Sequence, residues 1–255
     1  MENPTIDLIH HHTSVRHYKP DPLPSSMVET IISAAQCAST SSNLQAYSVV
    51  AVTGLEMRTR FSKLCGNQAH IREAPVLLVW CADLARLDRV CKLRGYTQVT
   101  EFTENFLIAA VDTSLAAQNA ALAAESLGLG ICYIGSIRNN STATIELLNL
   151  PKLTFPVTGM TLGWPEQQQN IRPRLPLHSV LHWESYSDKT EEETLRAYDS
   201  TMIALGIYGG RQVPAPGKPD VMEDYGWTEH SARRVSVAAR TDLRSALEKQ
   251  GFCMK

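Results

Sequence analysis

Residues 109–140 read AAVDTSLAAQNAALAAESLGLGICYIGSIRNN, and they carry the strongest structural signal in the chain. The first part is a helix with alanine or another small or apolar residue on nearly every face, which predicts a buried central helix. Gly128 and Gly130 end this helix, and residues 131–134 follow as a short apolar strand. Because glycine has no Cβ, Gly135 at the strand end lets a flat ligand approach the main chain. The stretch therefore predicts a core scaffold that presents backbone amides to a planar molecule.

The whole chain has 255 residues, enough for one large domain with a substantial core or for two small domains. Its 24 lysines and arginines nearly balance 26 aspartates and glutamates, so no overall field attracts nucleic acid or a membrane surface. We expect charges to interrupt every apolar segment before it could span a membrane, and we see no secretory signal. These features predict a cytoplasmic protein without nucleic-acid or membrane partners.

The cysteines and histidines predict neither disulfides nor a metal site. The cysteines show no CxxC pair and no regular spacing, and several lie in apolar runs, which predicts reduced, buried thiols. They are Cys37, Cys65, Cys81, Cys91, Cys132 and Cys253. In the run of His10, His11 and His12, adjacent helical side chains point about 100° apart, so three cannot converge on one ion.

Helical and strand-like segments alternate up to about residue 163. Periodicity and start signals predict helices at residues 5–11, 24–38, 56–64, 83–94, 101–127 and 141–148. Strands are predicted at residues 47–52, 75–81, 131–134 and 156–162. The second of these, PVLLVWC, is apolar throughout, as expected for a strand buried on both faces. This order predicts an α/β or α+β layered domain.

Beyond residue 163 the composition changes to polar loops that contain proline. A helix is predicted near residues 190–204, a loop rich in glycine and proline over 209–219, and further helices after 227. Few strands remain for this tail to pair with. We therefore expect an arm that wraps the domain or a partner subunit.

Two basic clusters are candidate phosphate sites. HTSVR, residues 12–16, combines imidazole, hydroxyl and guanidinium donors, and the proline of RPR, residues 172–174, stiffens the turn between two guanidinium groups. Arginine binds phosphate oxygens through paired N–H groups. A plain polar loop explains the first cluster about equally well. The two clusters could clamp one phosphate only if the fold brings them together.

Two loops, STSSNLQ at residues 39–45 and GNQ at residues 66–68, are dense in uncharged donors and acceptors. They predict either ordinary capping loops or a surface for a polar heterocycle edge or a ribityl chain. Gly128 and Gly130 do not form a dinucleotide fingerprint, because a helix precedes them and a strand follows. The chain has no nucleophile elbow, no serine–lysine signature and no HExxH helix. If it is an enzyme, a bound cofactor carries the chemistry.

Seven segments, taken in order, resemble the nitroreductase superfamily, and most closely its oxygen-insensitive NADPH nitroreductases and NADPH flavin reductases. They are HTSVRHY (12–18), SAAQCASTSSNLQ (33–45), GNQAHI (66–71), DTSLAAQNAALAAESLGLG (112–130), YIGSIRN (133–139), LGWP (162–165) and RPRLP (172–176). The resemblance implies an α+β, three-layer fold with a central mixed sheet flanked by helices and a C-terminal arm. It implies a homodimer with FMN at the subunit interface. On this basis residues 1–205 are the FMN-binding core, and residues 206–255 pack on the core or the partner subunit.

The resemblance also implies the residues that bind FMN, and no catalytic side chain, because the flavin carries the chemistry. The contacts to its phosphate and ribityl chain match His12, Ser14, Arg16, Arg172 and Arg174. A loop that reaches the flavin of the opposite subunit matches Thr40, Ser42 and Asn43. Gln68 matches a residue beside the flavin ring, and the strand end that lines the isoalloxazine matches Tyr133, Ile134, Gly135 and Ser136.

The chain departs from the family at two cationic positions. Thr13 stands where the family usually has arginine. Relatives place an arginine for the NADPH 2′-phosphate where this chain has Gly209 or Gly210, so we predict that Arg138 and the nearby Arg211 contact NADPH or NADH. An apparent insertion, residues 213–220, follows.

The activity implied is that of an FMN-dependent NAD(P)H oxidoreductase with a two-electron ping-pong mechanism. Its acceptors would be small molecules: nitroaromatics, quinones or flavins. One alternative is a flavin reductase that supplies free reduced flavin to a partner. Another is a non-enzymatic flavin-binding redox sensor, which the missing arginine near residue 209 favours.

Overall fold

The computed structural model describes residues 3–167, 169–252 and 255. The chain forms two compact units: the second is Arg172–Ala239, and the first contains the rest, including the C-terminal segment from Arg240. The predicted boundary between residues 205 and 206 lies inside the second unit, just after a helix. The division into two compact units does not show which residues bind FMN. The assignment of residues 1–205 as the FMN-binding core therefore stays a prediction.

A four-stranded sheet forms the centre of the first unit. Its strands are β1 (Tyr47–Val52), β2 (Val76–Asp83), β3 (Gly130–Ile134) and β4 (Thr154–Gly163). They lie in the order β1-β2-β4-β3, and each neighbouring pair is antiparallel. A single parallel bridge, between Ser14 and Ile131, extends the sheet at β3. Within the described residues, the predicted mixed character of this sheet rests on that bridge alone.

The helices agree with the predicted segments to within a few residues, and one short helix was missed. Those of the first unit are α1 (Pro4–His10), α2 (Ser25–Ala35), α3 (Leu55–Leu64), α4 (Ala69–Glu73), α5 (Ala85–Arg94), α6 (Thr103–Ser126), α7 (Ser141–Leu147) and α10 (Leu243–Gln250). Those of the second unit are α8 (Glu191–Ala204) and α9 (Trp227–Val235). The missed helix is α4, which has only five residues and therefore no full hydrophobic period.

The sheet lies between two helical layers because β2 is buried on both faces. Leu78 and Trp80 pack with the alanines of α6 and with Ile31 of α2. Leu77 and Val79 pack on the opposite face with the cluster that contains Phe61 of α3. The three-layer α+β fold is therefore as predicted.

Helix α6 is the core helix that its composition predicted, but only one side is buried. The fully buried alanines are Ala109, Ala116, Ala117, Ala120, Ala121 and Ala124, and Asp112 and Thr113 are buried on the same side. The other side exposes Leu107, Val111 and Leu115. The helix is long and apolar enough to meet the length and composition test for a membrane span, a test that core helices of soluble proteins also pass. Asp112 interrupts this segment, as expected, but a single charge between residues 105 and 124 does not prevent the helix from meeting that test.

The C-terminal segment returns to the first unit through α10. Leu247 and Phe252 join a buried cluster with Phe155 of β4 and Ala109 of α6. The Gln250 amide donates hydrogen bonds to the carbonyls of Pro151 and Thr154, at 3.0 and 2.8 Å. These contacts hold α10 and Phe252 against the sheet.

The second unit contains a β-hairpin where we expected a loop, so that prediction is wrong. Strand β5 (Gln212–Ala215) pairs with β6 (Lys218–Asp224), and the apparent insertion lies within this hairpin. Pro216 and Gly217 form the turn, with Gly217 at φ +71°, as in a type II turn. The prolines of this segment suggested a loop. A two-stranded hairpin tolerates prolines, however, because half of its backbone N–H groups have no partner strand.

The cysteines among the described residues are free thiols, as predicted. Cys65, Cys81 and Cys132 are buried, Cys91 is partly buried, and Cys37 is exposed. Burial raises the pKa of Cys81 to about 12, and Asp83 contributes in the same direction. Cys253 lies outside the described residues.

Candidate functional site

The HTSVR segment lies directly beside β3. The N–H of Val15 donates a hydrogen bond to the carbonyl of Ile131 at 2.8 Å, next to the bridge of Ser14. Gly130 permits this approach, because a Cβ on residue 130 would lie 2.6 Å from the Val15 side chain. Gly128, with φ +80°, ends α6 as predicted, so the two glycines have different roles. The structure thus brings one predicted phosphate segment to the predicted flavin-lining strand.

Gln68 and Ser136, both predicted to contact the flavin, are hydrogen-bonded to each other. The Gln68 amide donates to Ser136 Oγ and to the carbonyl of Cys65, each at 2.6 Å. Ser62 Oγ donates a hydrogen bond to the Gln68 carbonyl at 2.7 Å, which holds the loop at residues 66–68 against α3. Burial raises the pKa of the Cys65 thiol to about 11, although a hydrogen bond with Ser136 opposes this shift. A protonated thiol is a poor nucleophile, so these groups form a neutral polar surface at the end of β3.

Arg16 supplies positive charge to the same region. It is exposed and forms no ion pair with any residue that the structure describes. Its charge reaches the buried His70, whose pKa is lowered by burial first and by Arg16 second. An exposed guanidinium without an acidic partner, next to the hydroxyl of Ser14, is suited to an anionic oxygen ligand.

His12 lies at the same edge and contacts a residue that the sequence analysis missed. Its Nδ1 is 2.5 Å from Oε1 of Glu125, in the last turn of α6. No described residue forms a hydrogen bond with His12 Nε2. Glu125 lies only three residues before Gly128, but no pattern in the sequence linked it to His12.

A cavity of about 620 Å³ opens beside the strand end, between α6, β3 and β4. Its lining includes Gln118, Tyr133, Gly135 and Arg138. The hydroxyl of Tyr133 donates to Gln118 Oε1 at 3.3 Å, and burial together with Glu125 raises the pKa of Tyr133. Tyr133 is therefore a neutral donor at the wall of this cavity.

Two arginines lie next to Gly135 at this cavity. A Cβ on residue 135 would be 3.7 Å from the Arg138 guanidinium and 3.8 Å from that of Arg240, so both cations lie within van der Waals distance of this position. Arg138 donates to the carbonyl of Val157, and its pKa is lowered by burial and then by Arg240. Arg240 donates to Asn139 Oδ1 at 3.3 Å across 101 residues of sequence, and no motif pointed to it.

The loop with Thr40, Ser42 and Asn43 does not join the strand end within the chain. Asp112 of α6 holds it, because its two carboxylate oxygens accept the N–H of Ser41 at 2.9 Å and of Ala46 at 3.0 Å. Asn43 lines a separate cavity of about 660 Å³. Loop and strand end are thus two distinct surfaces of one protomer.

In the second unit, Arg211 lies on an aromatic cluster. Its guanidinium carbon is 4.5 Å from the centroid of the buried Tyr225 ring, and the N–H of Tyr225 donates to the Arg211 carbonyl at 2.7 Å. Tyr208 packs edge-on against Tyr225, and burial raises the pKa of Tyr208 while Arg172 lowers it. Within this unit Arg172, Arg174 and Arg211 form no ion pair with a described residue.

These donors fit the FMN that the resemblance implies. A phosphate requires cations and hydroxyl groups, and Arg16, Ser14 and His12 supply them at one edge of β3. A polar ring edge requires neutral hydrogen-bonding groups beside a residue without a side chain, and Gln68, Ser136 and Gly135 supply these. Among the described residues, no three or more His, Cys, Asp or Glu side chains form a group that could hold a metal ion.

Comparison with known proteins gives concordant matches over the chain. The model of the Nitroreductase family matches residues 9–164, and that of its C-terminal domain matches residues 172–255. The CR(VI) reductase of Pseudomonas sp. is similar, with 39% identity over 98% of this chain and 99% of its own length. The oxygen-insensitive NADPH nitroreductase of Salmonella typhimurium is 35% identical over 99% of this chain and 100% of its own length. The solved structure of the NADPH:FMN oxidoreductase from Vibrio harveyi, complexed with NAD+, has a TM-score of 0.87. It is 35% identical to this chain and the match covers 99% of this chain and 100% of the Vibrio chain.

Proposed function

This chain belongs to the nitroreductase family, as its motifs predicted, and on that basis we propose that it is an FMN-dependent NAD(P)H oxidoreductase. The observation that carries the proposal is the end of β3, where Gln68 contacts Ser136 and the HTSVR segment lies alongside. When bound, FMN supplies the two-electron redox chemistry, taking hydride from NAD(P)H and passing electrons to an acceptor. The relatives compared above are named as enzymes, which argues against the alternative of a non-enzymatic redox sensor.

The residues of this chain bind and orient the cofactor. Arg16 and Ser14 bind its phosphate together with His12, and Arg172 and Arg174 remain predicted phosphate ligands. Gln68 and Ser136 hold each other in place, so little side-chain freedom is lost when the flavin edge binds. The backbone of Tyr133, Ile134, Gly135 and Ser136 lines the ring, with no Cβ at residue 135 to obstruct it.

We propose small-molecule acceptors that are planar and electron-poor: nitroaromatics, quinones and flavins. The similar proteins include a nitroreductase and a chromium(VI) reductase, so chromate joins this set. Arg138 and Arg240 place positive charge at the cavity beside Gly135, which favours acceptors that carry or gain negative charge.

The protein acts as a homodimer with FMN at the subunit interface in this proposal. Leu107, Val111 and Leu115 expose an apolar stripe on α6, a feature that marks interaction surfaces. The loop with Thr40, Ser42 and Asn43 lies apart from the strand end of its own chain, as expected for a loop that serves the partner's flavin. We further propose a cytoplasmic location, where NADPH is available and thiols such as Cys37 stay reduced.

The first experiment is reconstitution of the purified protein with FMN, followed by anaerobic mixing with NADPH or NADH. We expect a yellow protein whose flavin absorbance bleaches with at least one nicotinamide and returns when nitrofurazone or chromate is added. Failure to bind FMN would overturn the proposal. FMN binding without bleaching by either nicotinamide would instead support the sensor.

The second candidate function is release of free reduced flavin to a partner, since one similar structure is an NADPH:FMN oxidoreductase. Steady-state turnover with free FMN and with nitrofurazone as acceptors separates the two functions. A kcat/KM at least tenfold higher for free FMN than for nitrofurazone would identify a flavin reductase.

A further inference from the structure

We propose that Glu125 positions His12 to bind the phosphate of FMN, so that a carboxylate–imidazole pair forms part of the cofactor site. This inference rests on the proposed function and adds a residue that lies behind the phosphate ligands. It starts from the contact of 2.5 Å between Glu125 Oε1 and His12 Nδ1. The side chains are 11% and 28% exposed, respectively, so solvent screens the contact only partly.

The contact determines which ring nitrogen a ligand can reach. An imidazole has two nitrogens, and Nδ1 is occupied by Glu125, so Nε2 is the atom left for a ligand. A carboxylate that accepts the Nδ1 proton fixes the ring orientation, as it does for histidines that bind metals. With a phosphate bound, Nδ1 faces the carboxylate and Nε2 faces the phosphate, so the imidazole lies between the two anionic groups.

The second oxygen of Glu125 supports a functional role. Oε2 is buried and has no hydrogen-bond partner within the described part of the chain. A buried carboxylate oxygen without a donor is destabilising, so such groups need an explanation. The carboxylate acts on His12 by direct contact and raises the pKa of Tyr133 through its charge. Glu125 and Thr13 also line a cavity of about 240 Å³, and Thr13 offers no positive charge of its own.

A purely structural role is the competing explanation, because the same contact ties the end of α1 to α6. The two roles differ in their dependence on the phosphate. A positioning residue for phosphate affects FMN and leaves riboflavin, which lacks the phosphate, unaffected. A structural residue affects both flavins.

The test is an equilibrium titration of apoprotein with FMN and with riboflavin, followed by quenching of flavin fluorescence. The variants are Glu125→Gln, which keeps the shape and an acceptor oxygen, and Glu125→Ala. The matched control is Glu104→Gln, at an exposed glutamate of the same helix. We expect Glu125→Ala to raise the Kd for FMN about tenfold to a hundredfold, as for loss of a hydrogen bond to a charged group. The Kd of Glu125→Gln for FMN should lie between those of Glu125→Ala and wild type. In both variants the Kd for riboflavin should change by less than about twofold, well below a tenfold change, which corresponds to about 1.4 kcal/mol.

A second measurement asks whether Glu125 acts through His12. In a His12→Ala background, Glu125→Gln should have no further effect on the Kd for FMN, because the two residues act as a unit. Additive effects, equal weakening of FMN and riboflavin, or an unchanged FMN affinity in Glu125→Ala would each overturn the inference. A wild-type protein that binds no FMN would overturn the proposed function itself, an outcome that these variants cannot imitate.

Discussion

Replacing Asp112 with alanine should destabilise the protein by releasing the loop at residues 40–45 from helix α6. Asp112 is only 1% exposed, and its carboxylate accepts hydrogen bonds from the N–H groups of Ser41 and Ala46. Between these two anchors, Ser42, Asn43 and Gln45 have φ of 47°, 56° and 52°, a conformation that costs energy in residues other than glycine. The two hydrogen bonds therefore hold a strained loop in place.

The size of the effect follows from the surroundings of each N–H group. Ala46 is 0% exposed, so its N–H would be left without a partner, at about 1–3 kcal/mol. Ser41 is exposed, and water replaces its lost bond, which leaves about 0.5–1.5 kcal/mol. Removing a buried charge offsets part of this loss. We expect the free energy of unfolding to fall by about 1–4 kcal/mol.

Urea-induced unfolding of the apoprotein at one fixed protein concentration measures this loss without linkage to bound FMN and keeps the contribution of dimerisation constant. Asp112→Asn keeps the shape but turns an amide donor toward one of the two N–H groups, so it should also destabilise. Ser114→Ala is the matched control on the same helix, because its hydroxyl bonds only to the Ala110 carbonyl at the surface. We expect that control to stay within about 0.5 kcal/mol of wild type.

The same variant tests the link between loop and cofactor. If Thr40, Ser42 and Asn43 serve a flavin, FMN affinity should fall in Asp112→Ala and remain at the wild-type value in Glu104→Gln, at an exposed glutamate of the same helix. An unfolding free energy of Asp112→Ala within about 0.5 kcal/mol of wild type, the usual scatter of surface substitutions, would refute the anchoring argument.

Three further predictions follow from the site. Arg16→Ala should raise the Kd for FMN about tenfold to a hundredfold by isothermal titration calorimetry, as for a lost charged hydrogen bond, and an unchanged Kd would remove Arg16 from the phosphate site. Arg211→Ala should raise the KM for NADPH and leave the KM for NADH nearly constant. Tyr225→Leu should act in the same direction because it removes the ring under Arg211, whereas Tyr225→Phe keeps an aromatic ring and should have no such effect. Equal effects on both nicotinamides would contradict this role of Arg211. Because the pKa of His70 is lowered from its usual 6.5 by burial and by Arg16, the stability that neutral His70 supports is present above pH 6.5 and lost as the pH falls through the folded-state value. Urea unfolding at pH 7.5 and pH 5.5 should show a smaller loss on acidification in His70→Phe than in wild type, and equal losses would exclude His70 as a cause.

Local patterns were sufficient for most of the secondary structure. The alanine-rich composition of α6 and the apolar run of β2 act over neighbouring turns and residues, and both elements formed as expected. Gly128 ended its helix because a left-handed conformation at that position is a local property. The β5–β6 hairpin was missed because its prolines suggest a loop, and only the pairing of Gln212 with Asp224 across the turn makes it a hairpin.

The order of motifs was also sufficient to recognise the family and to predict residues for a flavin site. It could not identify Glu125, Arg240 or Tyr225, since each has its role through a partner that local composition does not specify. Glu125 meets His12 across 113 residues and Arg240 meets Asn139 across 101, distances over which sequence periodicity carries no information. Helix and strand propensities act between neighbours along the chain, whereas the meeting of a carboxylate with an imidazole, or of two guanidinium groups, depends on how whole elements pack. The elements and the family therefore follow from the amino-acid order, and the positioning of charge around the site follows only from the tertiary structure.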